Sequence, residues 1–440
     1  MRVAVRSVDL ALWKTRNFVF FMGLIAMNYT IMRPSPVDMI FVCALAMCLV
    51  VNQTVRVNFV VLTVFLLAWG LSYFFASVPH LYEIWRGDSV VFELLAKTFV
   101  LMIAFTACYI STTWDKAHYE TFMKVYVATC AIASTLGTIG FALRIDRLTW
   151  DSRARGLLDD PNMYGSMVVP SLLCALYLLH FGVVKRWIML LVLPILGIGV
   201  LLSFSRIAIV ASLVTCTGFI FFLNRTNLKR LVPAIVALVG LGMVLFAILS
   251  MTSEEFTQKF LQRLTFAESY DLGEQGRYGR YLLVIPMILE NPMGVGVLQL
   301  EKVFPEPIHN IWLSSFVNYG WGGGFTWLLL VGCSIWQSIN NYRRTRSPVA
   351  ILLLFTYIAV IMCASLHEGE HWRHMWLMLG VLWGFSPANF GEVVRRAPRP
   401  VVAVARQPAR AVALPMPAAA APGAMVVRVR RNSIPRAGHA

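Results

Sequence analysis

Charged residues are scarce in this chain: 14% of 440 residues, against 58% hydrophobic ones and a mean hydropathy of +0.69. A soluble domain carries roughly a quarter charged residues, so the scarcity excludes an ordinary soluble protein and indicates an integral membrane one. Acidic groups are scarcer still, 22 Asp and Glu against 38 Lys and Arg, giving a formal charge of +16. That excess could suggest nucleic acid, but residues 391–440 alone hold nine arginines against one acid, Glu392. A basic tail after the last apolar run reads first as a topology determinant and a contact for anionic lipid, so no nucleic-acid partner is expected. Cysteines are few: Cys43, Cys48, Cys108, Cys130, Cys174, Cys216, Cys333 and Cys363, each inside an apolar stretch. They offer neither a disulfide framework nor metal spacing. Residues 1–16 are polar and basic without a small-residue cleavage site, which predicts no removable signal peptide.

What the chain has in abundance is apolar runs. Hydropathy gives candidate helices near 17–32, 37–52, 57–76, 90–110, 123–143, 162–182, 187–204, 207–223, 231–251, 308–338, 349–366 and 373–388. A full span takes ~20 residues, so the first two and the last are short. The expected fold is an all-α integral membrane protein of about twelve transmembrane helices, with a polytopic domain over 1–390. The tail over 391–440 is Ala/Pro/Arg-rich and aperiodic, and is expected to be disordered. Arg56, Lys116, Lys185, Arg186, Arg225, Lys229 and Arg230 then fall on one side, together with Arg343, Arg344, Arg346, the basic N-terminus and the tail. The positive-inside rule puts that side, and both termini, in the cytoplasm.

Two segments stand out on the opposite side. One is 144–161. The other is 252–307, the longest connection and the expected large periplasmic loop. It is predicted to open with a polar helix over 253–267 and to continue after Gly276 as an amphipathic helix. That helix ends at the turn-rich Glu290-Asn-Pro-Met-Gly-Val-Gly. A long, ordered insertion among short connections suits function better than decoration.

Arg206, in Leu-Leu-Ser-Phe-Ser-Arg-Ile-Ala, lies between two tightly connected apolar helices. It either snorkels to the rim or faces a partner or wet cavity, since an arginine at membrane depth is costly otherwise. Arg277 and Arg280 are three apart and share one helix face. Two guanidinium forks together suit a diphosphate, although a solvated pair is the bland alternative. Arg153 and Arg155 carry less weight, because Asp151, Asp159 and Asp160 could neutralise them. His309, followed by Asn310 at the mouth of an apolar run, could act as a general base near neutral pH. His367-Glu-Gly-Glu-His371 formally matches H-E-x-x-H, which on a helix places two zinc ligands and a glutamate base together. Glycine at its centre and its place at a span end favour instead an acid/histidine cluster with Arg373 and His374, and no metal site is expected.

In order, these segments resemble the O-antigen ligase and polymerase superfamily of bacterial glycan-assembly proteins. The resemblance rests on Arg155-Gly156 with Asp160-Pro161-Asn162, and on Ser203-Phe-Ser205-Arg206. It continues through Arg277-x-x-x-Tyr281 running to Asn291-Pro292-Met-Gly294-Val-Gly296, and ends with His309-Asn310-x-x-Leu313 and Gly320. One departure is Tyr281, where tryptophan is common. The resemblance implies a GT-C-type membrane glycosyltransferase of the bacterial inner membrane, inverting, metal-independent and without cofactor. It implies a donor glycan on undecaprenyl diphosphate, handled at the periplasmic face, and as acceptor a lipid A core sugar or the end of another glycan. Arg206 and Arg277 would hold the diphosphate with help from Arg280 and Arg155. His309 would be the base, and Asn162, Asn310 and Tyr281 would support it. Ligase and polymerase stay equally open. A twelve-span transporter of an anionic substrate would also place arginines in a cavity, but it predicts internal repeats that the sequence does not show. A metalloprotease built on 367–371 is the remaining alternative.

Overall fold

A computed structural model describes residues 2–31, 34–51, 53–264, 273, 276–304 and 307–391. The tail expected to be disordered lies beyond these residues, as does the end of the helix expected over 253–267. The helices in chain order are α1 (Arg2–Ala26), α2 (Pro36–Val50), α3 (Val57–Ser77), α4 (Val90–Ser111), α5 (Lys116–Leu143), α6 (Pro161–His180), α7 (Arg186–Leu202) and α8 (Arg206–Asn224). They continue with α9 (Leu228–Thr252), α10 (Glu254–Leu264), α11 (Arg277–Glu290), α12 (Leu300–Val303), α13 (Ile311–Val317), α14 (Gly320–Thr345), α15 (Pro348–Ala364) and α16 (Arg373–Trp383). Two short hairpins interrupt them, β1 (Ile84–Trp85) with β2 (Asp88–Ser89), and β3 (Thr149–Trp150) with β4 (Arg153–Ala154).

The protein is all-α in character. Among the described residues six helices are long and apolar enough to cross a membrane: α3 to α6, α8 and α9. α2, α7 and α15 are as apolar but shorter. Burial divides them by role. α15 and α16 are apolar all round and buried on nearly every face, the mark of a central helix. α9 is equally apolar, yet only Leu231 and Leu245 are buried, while Val232, Val236, Met243, Val244 and Ile248 point outward. An apolar helix exposed along its length suits a lipid surface.

The apolar run at 308–338 was expected as one helix, but the structure breaks it between α13 and α14. The cause lies in the Asn-Pro-Met-Gly-Val-Gly turn after α11. It lays its backbone across the break, with Val295 N donating to Val317 O at 2.8 Å and Gly296 N to Asn318 O at 3.1 Å. Gly294 and Gly320 have φ of +86° and +71°, and a Cβ on Gly294 would stand 2.5 Å from Gly320 N. Two main chains meet with no room for a side chain between them.

The basic helix ends gather at one end of the bundle, where Arg225 of the α8–α9 turn donates to Tyr342 near the close of α14. The connections carrying the candidate residues gather at the other. There Arg144 meets Glu255, Lys259 meets Asp151, Val297 N reaches Ser77, and Trp312 donates to Ser365.

Candidate functional site

The β3–β4 hairpin turns through Asp151 and Ser152, both at positive φ, and places Arg153 inside the bundle. Its Nε donates to Ser203 O at 2.9 Å and its Nη2 to Asn162 Oδ1 at 2.7 Å. Two of the three acids that seemed able to neutralise it, Asp151 and Asp160, are engaged elsewhere. Asp151 pairs with Lys259 and Arg263, and Asp160 caps α6 by accepting from the amides of Asn162 and Met163. Arg155 instead donates to the carbonyls of Asp159 and Asp146. Arg206 opens α8 directly after a tight turn in which Phe204 takes a φ of +49° and Ser203 Oγ accepts from Ser205 N. The turn stations the half-buried guanidinium at the helix N-terminus, where Nη1 reaches Arg263 O at 3.4 Å.

α11 begins at Arg277 and ends at Glu290, the bounds the sequence pattern indicates. Arg280 is buried, with Nη1 on Pro307 O at 3.0 Å and Nε on Gly276 O at 3.4 Å. Tyr281 donates its hydroxyl to His309 O at 3.2 Å, and Asn310 caps α13 by accepting from Trp312 N and Leu313 N. Between these anchors His309 has a φ of +52°. A left-handed histidine is strained, by about 1–3 kcal/mol, and persists where its surroundings over-determine it. Arg280, Tyr281 and Asn310 are those surroundings, so they act on the position of His309.

The His309 ring meets His367 edge to face, with centroids 5.8 Å apart. Burial first, then the guanidiniums of Arg277 and Arg280, lower His309 to about 3. Burial, then His309 and the guanidiniums of Arg277, Arg153 and Arg206, hold His367 well below its ordinary range. Two neutral imidazoles thus sit within electrostatic reach of fixed positive charges. Arg153 and His367 stand with Arg277 and His309 in this electrostatic group, while Arg155 holds the carbonyls of Asp159 and Asp146.

The pair opens on a cavity of about 460 Å³. One wall is polar, with Asn162, His309, His367 and Glu368; the other is apolar, from Phe92, Leu95 and Phe99 of α4. Phe92 and Leu95 are themselves exposed on the bundle surface, so the apolar wall runs out to the surface.

The segment 367–371 is not an α-helix; Gly369–His371 is a single 3-10 turn. It separates the two histidines. His367 faces His309, while His371 Nε2 lies 3.2 Å from Glu93 and 3.1 Å from Lys97. Glu370 accepts from Lys97 at 3.1 Å, from Ser314 at 2.8 Å and from the Tyr319 hydroxyl. Burial alone would raise Glu370, but Lys97, His371 and these hydrogen bonds hold it below the ordinary carboxylate value. Arg373 forms a fork on Asp38 at 2.7 and 2.6 Å. The two histidines of the H-E-x-x-H match have separate partners, and among the described residues no three His, Cys, Asp or Glu side chains are grouped to hold a metal. Lys97 escaped notice in the sequence, although a lone lysine within an apolar run was the available signal.

No curated protein matches the chain. Residues 189–328 match the family model described as O-antigen ligase. That window contains Arg206, Arg277, Arg280, Tyr281, His309 and Asn310, and it leaves Arg153, Asn162, His367 and Lys97 outside. Through this central stretch the chain is similar to the O-antigen ligase family.

Proposed function

We propose that this protein transfers a glycan from undecaprenyl diphosphate to an acceptor hydroxyl at the periplasmic face of the bacterial inner membrane. The observation carrying the reading is the set of guanidiniums acting on the His309–His367 pair, Arg277 on both rings with Arg280 on His309 and Arg153 and Arg206 on His367, beside a cavity with one polar and one apolar wall. The polyprenyl chain lies along the α4 wall and the diphosphate among the guanidiniums. The acceptor oxygen attacks the anomeric carbon from the face opposite the diphosphate and inverts it. Its proton passes to His309, and the breaking bond's electron pair goes to the phosphate oxygen. Fixed guanidiniums stabilise that developing charge without metal or cofactor. Arg280 serves through Pro307 and His309, and Arg155 through the loop before α6.

These fixed charges also give the base a condition for acting. In the empty site the cations weaken His309 as a proton acceptor. Two negative charges on the diphosphate offset them and restore its basicity, so the base is competent when the donor is seated. Twelve spans, a GT-C-type arrangement, cytoplasmic termini and a 1–390 membrane domain with 252–307 outside complete the reading. The basic helix ends grouped opposite the site support that orientation.

The test uses the purified protein in lipid nanodiscs and a gene deletion complemented by variants. Substituting Arg206, Arg277 or His309 should abolish glycan assembly. Intact assembly in all three would sink the assignment. In the deletion, lipid-linked polymer with bare lipopolysaccharide means ligase, and single lipid-linked units mean polymerase.

A further inference from the structure

Glu370 follows His367 by three residues, and each of its three oxygens is used. Oε1 accepts from Lys97 Nζ at 3.1 Å and from the Tyr319 hydroxyl, and Oε2 accepts from Ser314 Oγ at 2.8 Å. Its main-chain carbonyl accepts from Trp376 Nε1 at 2.9 Å. These donors come from α4, the head of α14, α13 and α16, and Lys97, Ser314, Tyr319 and Glu370 are all buried.

Stability alone does not account for the arrangement. Taking two charges out of water is expensive, and a well-packed apolar pair of similar volume often holds helices together as well or better. What an apolar pair lacks is direction. Hydrogen bonds to a carboxylate fix distance and angle together. Here the direction is towards the site. Ser314 belongs to α13, whose cap is Asn310, and His309 stands immediately before that cap. A further bond, from Trp312 Nε1 to Ser365 Oγ at 2.9 Å, joins the same two segments. His367 is therefore flanked in the chain by two bonds to α13, at Ser365 and at Glu370, and its ring meets His309 at 5.8 Å. Lys97 completes the arrangement from α4, the helix that also supplies the apolar wall of the first cavity. With Lys97 and Tyr319 on Oε1, the other oxygen is turned to Ser314.

We propose that Glu370, oriented by Lys97, is a positioning residue that acts through Ser314 to set the His309–His367 pair. The inference rests on the glycan-transfer reading and adds to it the group that places the base. Glu370 takes no part in the bonds that form and break. Its effect belongs to the transfer step, where a small displacement of a base is costly, and not to donor binding, which the guanidiniums supply.

The test begins with Ser314→Ala in the full chain in nanodiscs, which keeps the Lys97–Glu370 pair and removes its link to α13. Losing a hydrogen bond to a charged group should lower kcat about tenfold or more. KM for the lipid-linked donor should stay within about threefold, because no donor contact is removed. The double variant Lys97→Met/Glu370→Met replaces the ion pair by apolar side chains and leaves no charge buried alone. It should lose kcat to a similar extent, and adding Ser314→Ala to it should cost less than about twofold more. Retained donor binding shows that each variant is folded. A histidine-labelled sample gives a readout independent of turnover. Ser314→Ala should shift the ring-nitrogen resonances of His309 and His367 and leave that of His118, which pairs with Asp115, in place. Unchanged kcat in Ser314→Ala or in the apolar pair overturns the proposal. So do a loss in KM alone, losses that multiply in the triple variant, and unmoved His309 and His367 resonances. If those resonances move while Arg206→Ala and Arg277→Ala still transfer glycan at full rate, the transfer reading fails and the positioning stands by itself.

Discussion

Arg153 shows how far a side chain's value depends on what its neighbours are doing. Its sequence context, acids on both sides, argues for neutralisation; the structure commits Asp151 to Lys259 and Arg263, and Asp160 to a helix cap. Hydrogen bonds made by charged groups are worth about 1.5–3 kcal/mol, or roughly 10- to 100-fold in an equilibrium. Arg153→Ala should therefore weaken undecaprenyl diphosphate binding by about that factor, and Arg155→Ala by less than about threefold. Equal losses in a nanodisc binding assay would return Arg153 to a scaffolding role. His309 makes a second prediction at this scale. A base works when unprotonated, and in the free protein the ring is neutral down to about pH 3. The kcat/KM profile, which reports the free protein, should then lack an acid limb near neutrality. The kcat profile reports the loaded protein, where diphosphate raises the ring's proton affinity, so its acid limb should stand at higher pH. Coincident limbs would contradict charge compensation.

At the scale of elements, legibility followed locality. The bounds of α11, the Ser203-Phe204-Ser205 turn and the helical start of the long connection were readable, because caps, periodicity and turn residues act within a few positions. The break between α13 and α14 was not. Hydropathy runs unbroken from 308 to 338, and what divides it is a backbone from another part of the chain crossing at Gly320. Arg153 was given little weight and Lys97 was missed for the same reason, since their partners lie in other elements. The crossing carries its own prediction. Gly294→Ala puts a methyl 2.5 Å from Gly320 N and forces a left-handed φ on alanine. It should cost about 1–3 kcal/mol and displace α13 with His309 at its head. Transfer activity should fall at least tenfold while the protein still inserts and binds donor through Arg206. Unchanged activity would mean the crossing does not hold the histidine in place.

For the molecule as a whole, charge is sorted by end. Single cysteines placed at Asp151 and at Arg344 in a cysteine-free background should react differently with a membrane-impermeant maleimide in intact cells. The first should label and the second should not; the reverse pattern would turn the protein over and move the site to the cytoplasm. The ion pair between Lys97 and Glu370 ties this architecture together, with both side chains only 2% exposed. It also has a consequence for the order in which the protein is made. The two residues are 273 positions apart, so α4 leaves the ribosome long before the carboxylate that neutralises its lysine exists. An unpaired lysine within a span is costly on insertion scales, most at its centre and less towards its ends. During most of synthesis α4 is thus a poorly anchored helix. Its final seating waits for the loop before α16, so a chain released early carries an unstable helix and lacks the floor of its own site. Completion of the polypeptide and closure of the site thus depend on the same ion pair.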